Sequence, residues 1–329
     1  MRILLLSDLH LEMGAASQPS MVCADCGQKF GNAKMNPGAT LNRGPCAVCG
    51  TEALVTQARD FGLLRNDWDL KLPDPDSYDV VCLPGDIHAH THALDWAFKT
   101  FPNKEIIYTP GNHEFYDAHL HGISVELRRR VQDYPNIHLL DNATVVLQGQ
   151  DCEPVRFIGA TLWTDFRLQG ESMSAIGAAF HEAKNSMADF STIRFGSTGW
   201  MTPACSVKLF LVSASFIAEE LAKPFDGKTI VVTHHLPSKR AVAERFKDDI
   251  LSAAFASNLD HLIERVNGAW VFGHTHGSVD MQIGSCRLVC NPRGYANRIK
   301  STYENPQFNP GLIIDTDTLS PAPKGRAKP

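Results

Sequence analysis

The chain has 329 residues, 43% hydrophobic and 20% charged, with a formal net charge of −5. That composition predicts a globular protein with a real core and argues against one held to nucleic acid or an anionic membrane by bulk electrostatics. No apolar run approaches the ~20 residues of a membrane helix. In "MRILLLSDLH" the apolar stretch before Asp8 is too short for a signal core, so the expectation is a soluble, cytoplasmic protein.

In chain order, "RILLLS" reads as a short buried strand, and residues 14–64 then break the pattern with Gly, Pro, Asn and two CxxCG knuckles. Regular texture resumes with the strand "YDVVCLPGD", the helix "THALDWAFKTF" with Thr91 as its N-cap, the strand "KEIIYTPGNHEF" and the helix "GISVELRRRVQDY". "NIHLLDNATVVLQG" and "VRFIGATLWTDF" read as strands, and residues 171–195 and 204–223 as helical. "KTIVVTHHLPS", "GAWVFGHTHGS", "SCRLVCNPRGY" and "GLIIDTD" are further strands, with the helix "NLDHLIERV" among them. The tail "SPAPKGRAKP" is Pro-rich and basic, which predicts disorder. Alternation of strands and helices predicts a layered α/β protein.

Polar residues recur where apolar strands stop: Asp8 and His10, Asp86, Asn112 and His113, His234, His274 and His276. Loops at strand ends are where layered α/β folds place ligand sites. In "DLH" and "HTH" the paired side chains are two residues apart, which in an extended segment aims both at one centre. Gly85, Gly111 and Gly273 are expected to allow sharp turns and leave room beside that centre. Imidazole, carboxylate and amide ligands suit Mn, Fe or Zn. There are enough of them for two divalent ions bridged by a carboxylate.

The ordered set "SDLH", "GD", "GNHE", "VTHH" and "GHTH" resembles the calcineurin-like metallophosphoesterases over nearly all of the chain except residues 14–64 and the tail. "TLWTDF", "NPRGY" and "YENPQF" are similar to a bacterial and phage phosphohydrolase branch of that family. The resemblance implies an αββα layered sandwich. It implies a first metal on Asp8, His10 and His276, a second on Asn112, His234 and His274, and Asp86 bridging the two. His113 would stand by the scissile phosphate as general acid or transition-state stabiliser, while a metal-bridging hydroxide attacks. The family often has Asp three residues after the bridging carboxylate. Here that position is Ala89, which implies altered surroundings of the site rather than lost activity.

Three further features have two readings each. His88, His90 and His92 are either a third metal site or a polar loop beside the first. His113 could also be a turn residue or an extra ligand. Arg293 in "NPRGY" either reaches substrate phosphate or forms a strand-end salt bridge.

Nine cysteines in a chain read as unexported argue for thiols and metal, not disulfides. Cys23, Cys26, Cys46 and Cys49 form C-x2-C-x19-C-x2-C, the spacing of a zinc ribbon with one structural Zn. Lys29, Lys34 and Arg43 against Asp25 give this stretch a weak electrostatic footprint for nucleic acid. The insertion leaves just after the first two ligands, so its base is expected near the mouth of the site, as a lid, a specificity wall or an oligomer contact.

The expected organisation is therefore residues 1–13 with 65–317 as catalytic domain, 14–64 as zinc ribbon and 318–329 as disordered tail. The expected activity is metal-dependent hydrolysis of a phosphomonoester or phosphodiester. One rival is a nuclease that holds nucleic acid on the ribbon. The other is an inactive phosphoesterase scaffold acting as a zinc-ribbon binding protein.

Overall fold

The computed structural model describes residues 1–14, 21–23, 29–30, 54–56, 70–149, 153–197, 199–297 and 302–319. The chain divides into two compact units, Met1–Leu11 with Asp69–Pro329, and Glu12–Trp68.

Among the described residues the larger unit holds two main sheets, besides two-stranded pairings of Arg194–Phe195 with Gly199–Trp200 and of Ala296–Asn297 with Thr302–Tyr303. The strands of the main sheets are β1 (Arg2–Leu5), β2 (Val80–Pro84), β3 (Glu105–Thr109), β4 (Ile137–Leu139), β5 (Ala143–Leu147), β6 (Val155–Ala160), β7 (Lys228–Thr233), β8 (Gly268–Phe272), β9 (Val279–Ile283), β10 (Cys286–Cys290) and β11 (Ile313–Asp315). The first sheet runs β11-β1-β2-β3-β4, the second β9-β10-β8-β7-β6-β5. Only β11 in the first sheet, and β9 and β5 at the edges of the second, are antiparallel to their neighbours. The edge strand β9 was not anticipated from the sequence.

The period-2 alternation of side chains decides the layers. Ile3 and Leu5 of β1 join Cys82, Ile107, Phe157, Val232 and Val271 in a core between the sheets. Leu4 and Leu6 point the other way, toward Leu94, Trp96 and Phe101 around α1 (His92–Thr100) and Leu127 of α2 (Leu120–Arg130). The outer face of the second sheet, with Ile158, Val231, Trp270 and Leu288, packs on Ala179 and Ala183 of α3 (Met173–Ser186) and on Phe210 and Ile217 of α4 (Pro203–Ala222). The layers are α, β, β, α, as the resemblance implied. Both faces of each central strand are covered, which is why these strands read as unbroken apolar runs.

Helix starts follow local chemistry. Ser172 and Thr202 accept from the backbone N–H groups of Ala175 and Cys205. Thr91 stands at the N-cap of α1 but makes no capping bond; its hydroxyl accepts from the Arg130 guanidinium at 2.8 Å. The predicted helical stretch 171–195 breaks after Ser186 into a short helix Asp189–Thr192 and a strand Arg194–Phe195. At the other end of the chain, ordered packing continues through Leu319, which is buried in the inter-sheet core and whose carbonyl accepts from Lys228 Nζ.

The smaller unit has a three-stranded antiparallel sheet with Met21–Cys23 at its centre, paired with Lys29–Phe30 and Leu54–Thr56. Cys26, Cys46, Cys49 and the side chain of Cys23 lie outside the described residues, as do the tail from 320 onward and the expected placement of the insertion. Among the described residues, no helix is long and apolar enough to cross a membrane.

Candidate metal centre

Each predicted ligand follows the carboxyl end of a parallel strand. Asp8 and His10 follow β1, Asp86 follows β2 and Asn112 follows β3. His234 follows β7, and His274 and His276 follow β8. The first sheet supplies the carboxylates, the amide and the His10 imidazole, the second supplies three imidazoles, and the two sets meet across the top of the sandwich.

The local backbone differs from the expectation. Asp8, His10, Asp86, His274 and His276 have φ of 50°, 43°, 53°, 69° and 48°. The pairs in "DLH" and "HTH" therefore converge through left-handed turns rather than through an extended strand. Such conformations cost on the order of 1–3 kcal/mol each for non-glycine residues and persist only when the surroundings over-determine them. Here main-chain hydrogen bonds lace the loops together: Asp8 N–H to Gly85 O, His10 N–H to Asp86 O, Gly294 N–H to Asp8 O and Gly273 N–H to His234 O, all 3.0–3.1 Å. Gly85 takes φ +88°, as a sharp turn requires, whereas Gly111 is needed for space: a Cβ there would strike Asp86 Oδ1.

Glu114, the last residue of "GNHE", completes the lacing. Its buried carboxylate accepts from the N–H groups of Asp86 (3.1 Å), Ile87 (3.0 Å) and Gly111 (2.8 Å), and from the Tyr108 hydroxyl (3.1 Å). One side chain thus clamps the Asp86 loop to the Asn112 loop. A buried carboxylate is tolerated because four donors replace its water.

Asp86 is the common member. Its Oδ2 lies 3.4 Å from His234 Nε2 and 3.9 Å from both His10 Nε2 and His113 Nε2. His10 Nε2 faces His276 Nε2 at 2.9 Å, and His276 Nε2 is 3.7 Å from Asp8 Oδ1. On the other side, His234 Nε2 meets Asn112 Oδ1 at 2.9 Å and His274 Nδ1 at 3.2 Å. Three groups of potential ligand atoms result: Asp8, His10 and His276; His10, Asp86 and His113; and Asp86, His234 and His274. Asp8 Oδ2 is buried and has no hydrogen-bond partner among the described residues. An orphaned carboxylate oxygen beside convergent imidazole nitrogens fits divalent cations.

Hydrogen bonds to the far nitrogens orient the rings. His234 Nδ1–H donates to Pro84 O at 2.9 Å, and His276 Nδ1–H donates to Glu304 Oε2 at 2.7 Å. Both leave Nε2 turned inward as the ligating atom. Asn112 is fixed likewise. Its Nδ2 donates to the Tyr116 hydroxyl (3.0 Å), which donates to Asp189 (3.1 Å), so Oδ1 faces the cluster.

The electrostatics agree. Burial pushes the Asp86 carboxyl up, but His234, His113 and His10 together hold it well below the usual carboxylate range. Burial opposes charge on His234, yet Asp86 raises its pKa to about 10. His235, desolvated and beside His234, falls to about 3, and burial likewise drives His274 well below its ordinary value. The positive charge that Asp86 draws onto His234 is charge that a bound cation would supply in its place.

His113 sits at the edge of the cluster. Its Nε2 is 3.2 Å from the Tyr295 hydroxyl, and its ring centroid is 4.2 Å from that of Tyr116. Arg293 is buried with its guanidinium over the Tyr303 ring, 5.4 Å from the centroid. His90 Nε2–H donates to Tyr116 O at 2.8 Å, and no group of potential metal ligands among the described residues contains His88, His90 or His92.

Sequence reading assigned no role to Glu114, Tyr116, Asp189, Tyr295 or Glu304. Glu114, Tyr295 and Glu304 lie inside stretches quoted above as motifs, "GNHE", "NPRGY" and "YENPQF", so a signal was present. Tyr116 follows "GNHE" closely, and Asp189 carries no local mark.

A layered α/β sandwich with carboxylates and imidazoles clustered at its strand ends has the architecture of a metallohydrolase. The chain belongs to the calcineurin-like phosphoesterase family, whose model matches residues 1–278. Uncharacterized protein L509 of Acanthamoeba polyphaga mimivirus is 27% identical over 284 residues, covering 78% of this chain and 90% of that protein. The crystal structure of the phosphopantetheinyl hydrolase from Mycobacterium tuberculosis is similar in fold, with a TM-score of 0.55 and 16% identity over 75% of this chain and 94% of that one.

Proposed function

We propose that the protein hydrolyses phosphoester bonds at a dinuclear centre, with Asp8, His10 and His276 on one side, Asn112, His234 and His274 on the other, and Asp86 shared. The observation that carries this reading is the position of Asp86 Oδ2, within 3.9 Å of imidazole nitrogens from both sets. Bound there, two divalent ions (Mn, Fe or Zn) would neutralise phosphate charge and acidify the attacking water. His113 stands where it can give a proton to the departing alkoxide as the bond between phosphorus and the ester oxygen breaks. The products are the alcohol and the phosphate, with the water's oxygen on phosphorus. Arg293 is assigned to holding the phosphate side of the pocket.

The test is a comparison of phosphomonoesters and phosphodiesters with protein loaded with manganese, iron or zinc. Hydrolysis that falls at least about a hundredfold in Asp86→Asn, with loss of bound metal, is the expected outcome. Protein that binds two equivalents of metal and hydrolyses neither class would overturn the reading.

A further inference from the structure

An apolar cavity of about 170 Å³ lies against the candidate centre, lined by Leu236, Val242, Phe246, Leu251, Phe255 and Thr275. Two of these residues tie it to the ligands. The Phe255 ring stacks on the imidazole of His274, centroids 4.5 Å apart and planes 31° apart. Thr275 lies in the chain between His274 and His276. A third, Leu236, follows the "THH" loop and donates its N–H to Phe255 O, which fixes the back wall to the strand end that delivers His234.

Two polar side chains of the wall make local hydrogen bonds. Asp249 accepts from Leu251 N–H at 2.9 Å, and the Ser252 hydroxyl donates to Phe246 O at 2.6 Å. With Leu236, Val242, Phe246, Leu251 and Phe255 making up most of the lining, the cavity offers an incoming group mainly carbon surface. Its volume matches the roughly 150 Å³ apolar cavities that take up benzene. Phe246 is 43% exposed at the rim, an aromatic that gains by being covered.

We propose that this cavity is a specificity pocket for the organic part of the substrate, and that the preferred phosphoester carries one aromatic ring or a branched aliphatic group of similar size. The inference rests on the phosphoesterase reading above and adds the substrate class to it. The phosphate would lie at the carboxylate and imidazole cluster while the apolar group enters beside Phe255. A purely polar substrate would leave the cavity unused, and a large planar base pair would not fit it.

The pocket and the chemistry can be tested separately. Phenylethyl phosphate and ethyl phosphate have similar leaving groups, so their kcat/KM ratio reads the pocket rather than intrinsic lability. The expected ratio is at least about tenfold in favour of the phenyl ester, through KM, from burial of the ring. Leu251→Trp, which fills the cavity, and Phe246→Ala, which removes its rim, should each bring the ratio to about twofold or less. Thermal melting and metal content report that the variants fold. The same comparison is made by calorimetry on manganese-loaded protein with phenylethylphosphonate and ethylphosphonate, which cannot turn over. Equal affinities for the two phosphonates, or a ratio that neither variant changes, would overturn the pocket and leave the phosphoesterase reading intact. Unequal affinities with no hydrolysis of either ester would support the pocket and count against the reaction.

Discussion

The hydroxyl of Tyr295 lies 3.2 Å from Nε2 of His113, although the two residues are 182 positions apart in the chain. The residue three positions after Asp86, Ala89, is apolar and buried, so that position offers His113 no carboxylate. Tyr295 also packs on His10 and His276, with ring centroids 4.5 and 4.8 Å away. It stands over the candidate centre with a hydroxyl beside the expected proton donor. Tyr295→Phe keeps the ring and removes the hydrogen bond. The expected result is a fall in kcat of about tenfold or more with metal content unchanged. An unaltered kcat would show that the contact has no part in the reaction.

Glu304 accepts from His276 Nδ1–H at 2.7 Å and from Tyr295 N–H at 3.2 Å. Its carboxylate makes the imidazole a better ligand and holds it in the tautomer that presents Nε2. In Glu304→Gln, affinity for manganese should drop about 10–100-fold, the range found when such partners are removed. Isothermal titration of the metal-free protein measures this directly, without any assay of activity. Equal affinity in the variant would leave Glu304 as a loop anchor only.

Asp189 offers a pH test whose sign is fixed by burial. The residue is 2% exposed, and desolvation raises its carboxyl above the ordinary Asp value despite the bond from Tyr116. Above that raised pKa the folded protein bears the cost of a buried charge. As pH falls through it, the folded state takes up a proton that the unfolded state does not, and stability rises. Asp189→Asn keeps an acceptor for Tyr116 and removes the charge. The variant should therefore melt higher than wild type near pH 8, with the difference shrinking as pH falls toward the unfolded pKa near ~4. A difference that does not change with pH would remove burial of charge as the cause.

The four cysteines of the insertion predict a separate metal. Met21–Cys23 pairs antiparallel with Lys29–Phe30, and in the sequence the first CxxC begins at the last residue of the first of these strands. A thiolate site there should hold one zinc independently of the centre that contains Asp86. In Cys26→Ser with Cys49→Ser, elemental analysis should report the loss of about one zinc per chain while added manganese still binds. Unchanged zinc would eliminate the ribbon.

Much of the candidate centre was legible because its residues sit in short local patterns. A strand buried on both faces leaves a run of apolar residues, and the polar residue that ends the run is visible without knowing what faces it. That was enough to mark Asp8, Asp86, Asn112, His234 and His274 as strand-end residues and to anticipate a layered α/β protein, whereas the two layers of strands between helices followed only from the family resemblance. The side chains paired in "DLH" and "HTH" do converge, but not through the extended conformation that the spacing suggested, since left-handed φ values at Asp8 and His276 depend on loop contacts that no local pattern encodes.

The partners of those residues were decided only by the tertiary structure. Asp189 reaches Tyr116 across 73 residues, Glu304 reaches His276 across 28, and Phe255 reaches His274 from a separate short helical turn. Such contacts arise from how two sheets stack, and a linear sequence carries no period that reports it. The sequence by itself determined which side chains can bind metal and where the strands must stop. The packing of one sheet on the other determined that they meet, which nitrogen of each ring faces inward, and that an apolar cavity lies beside them.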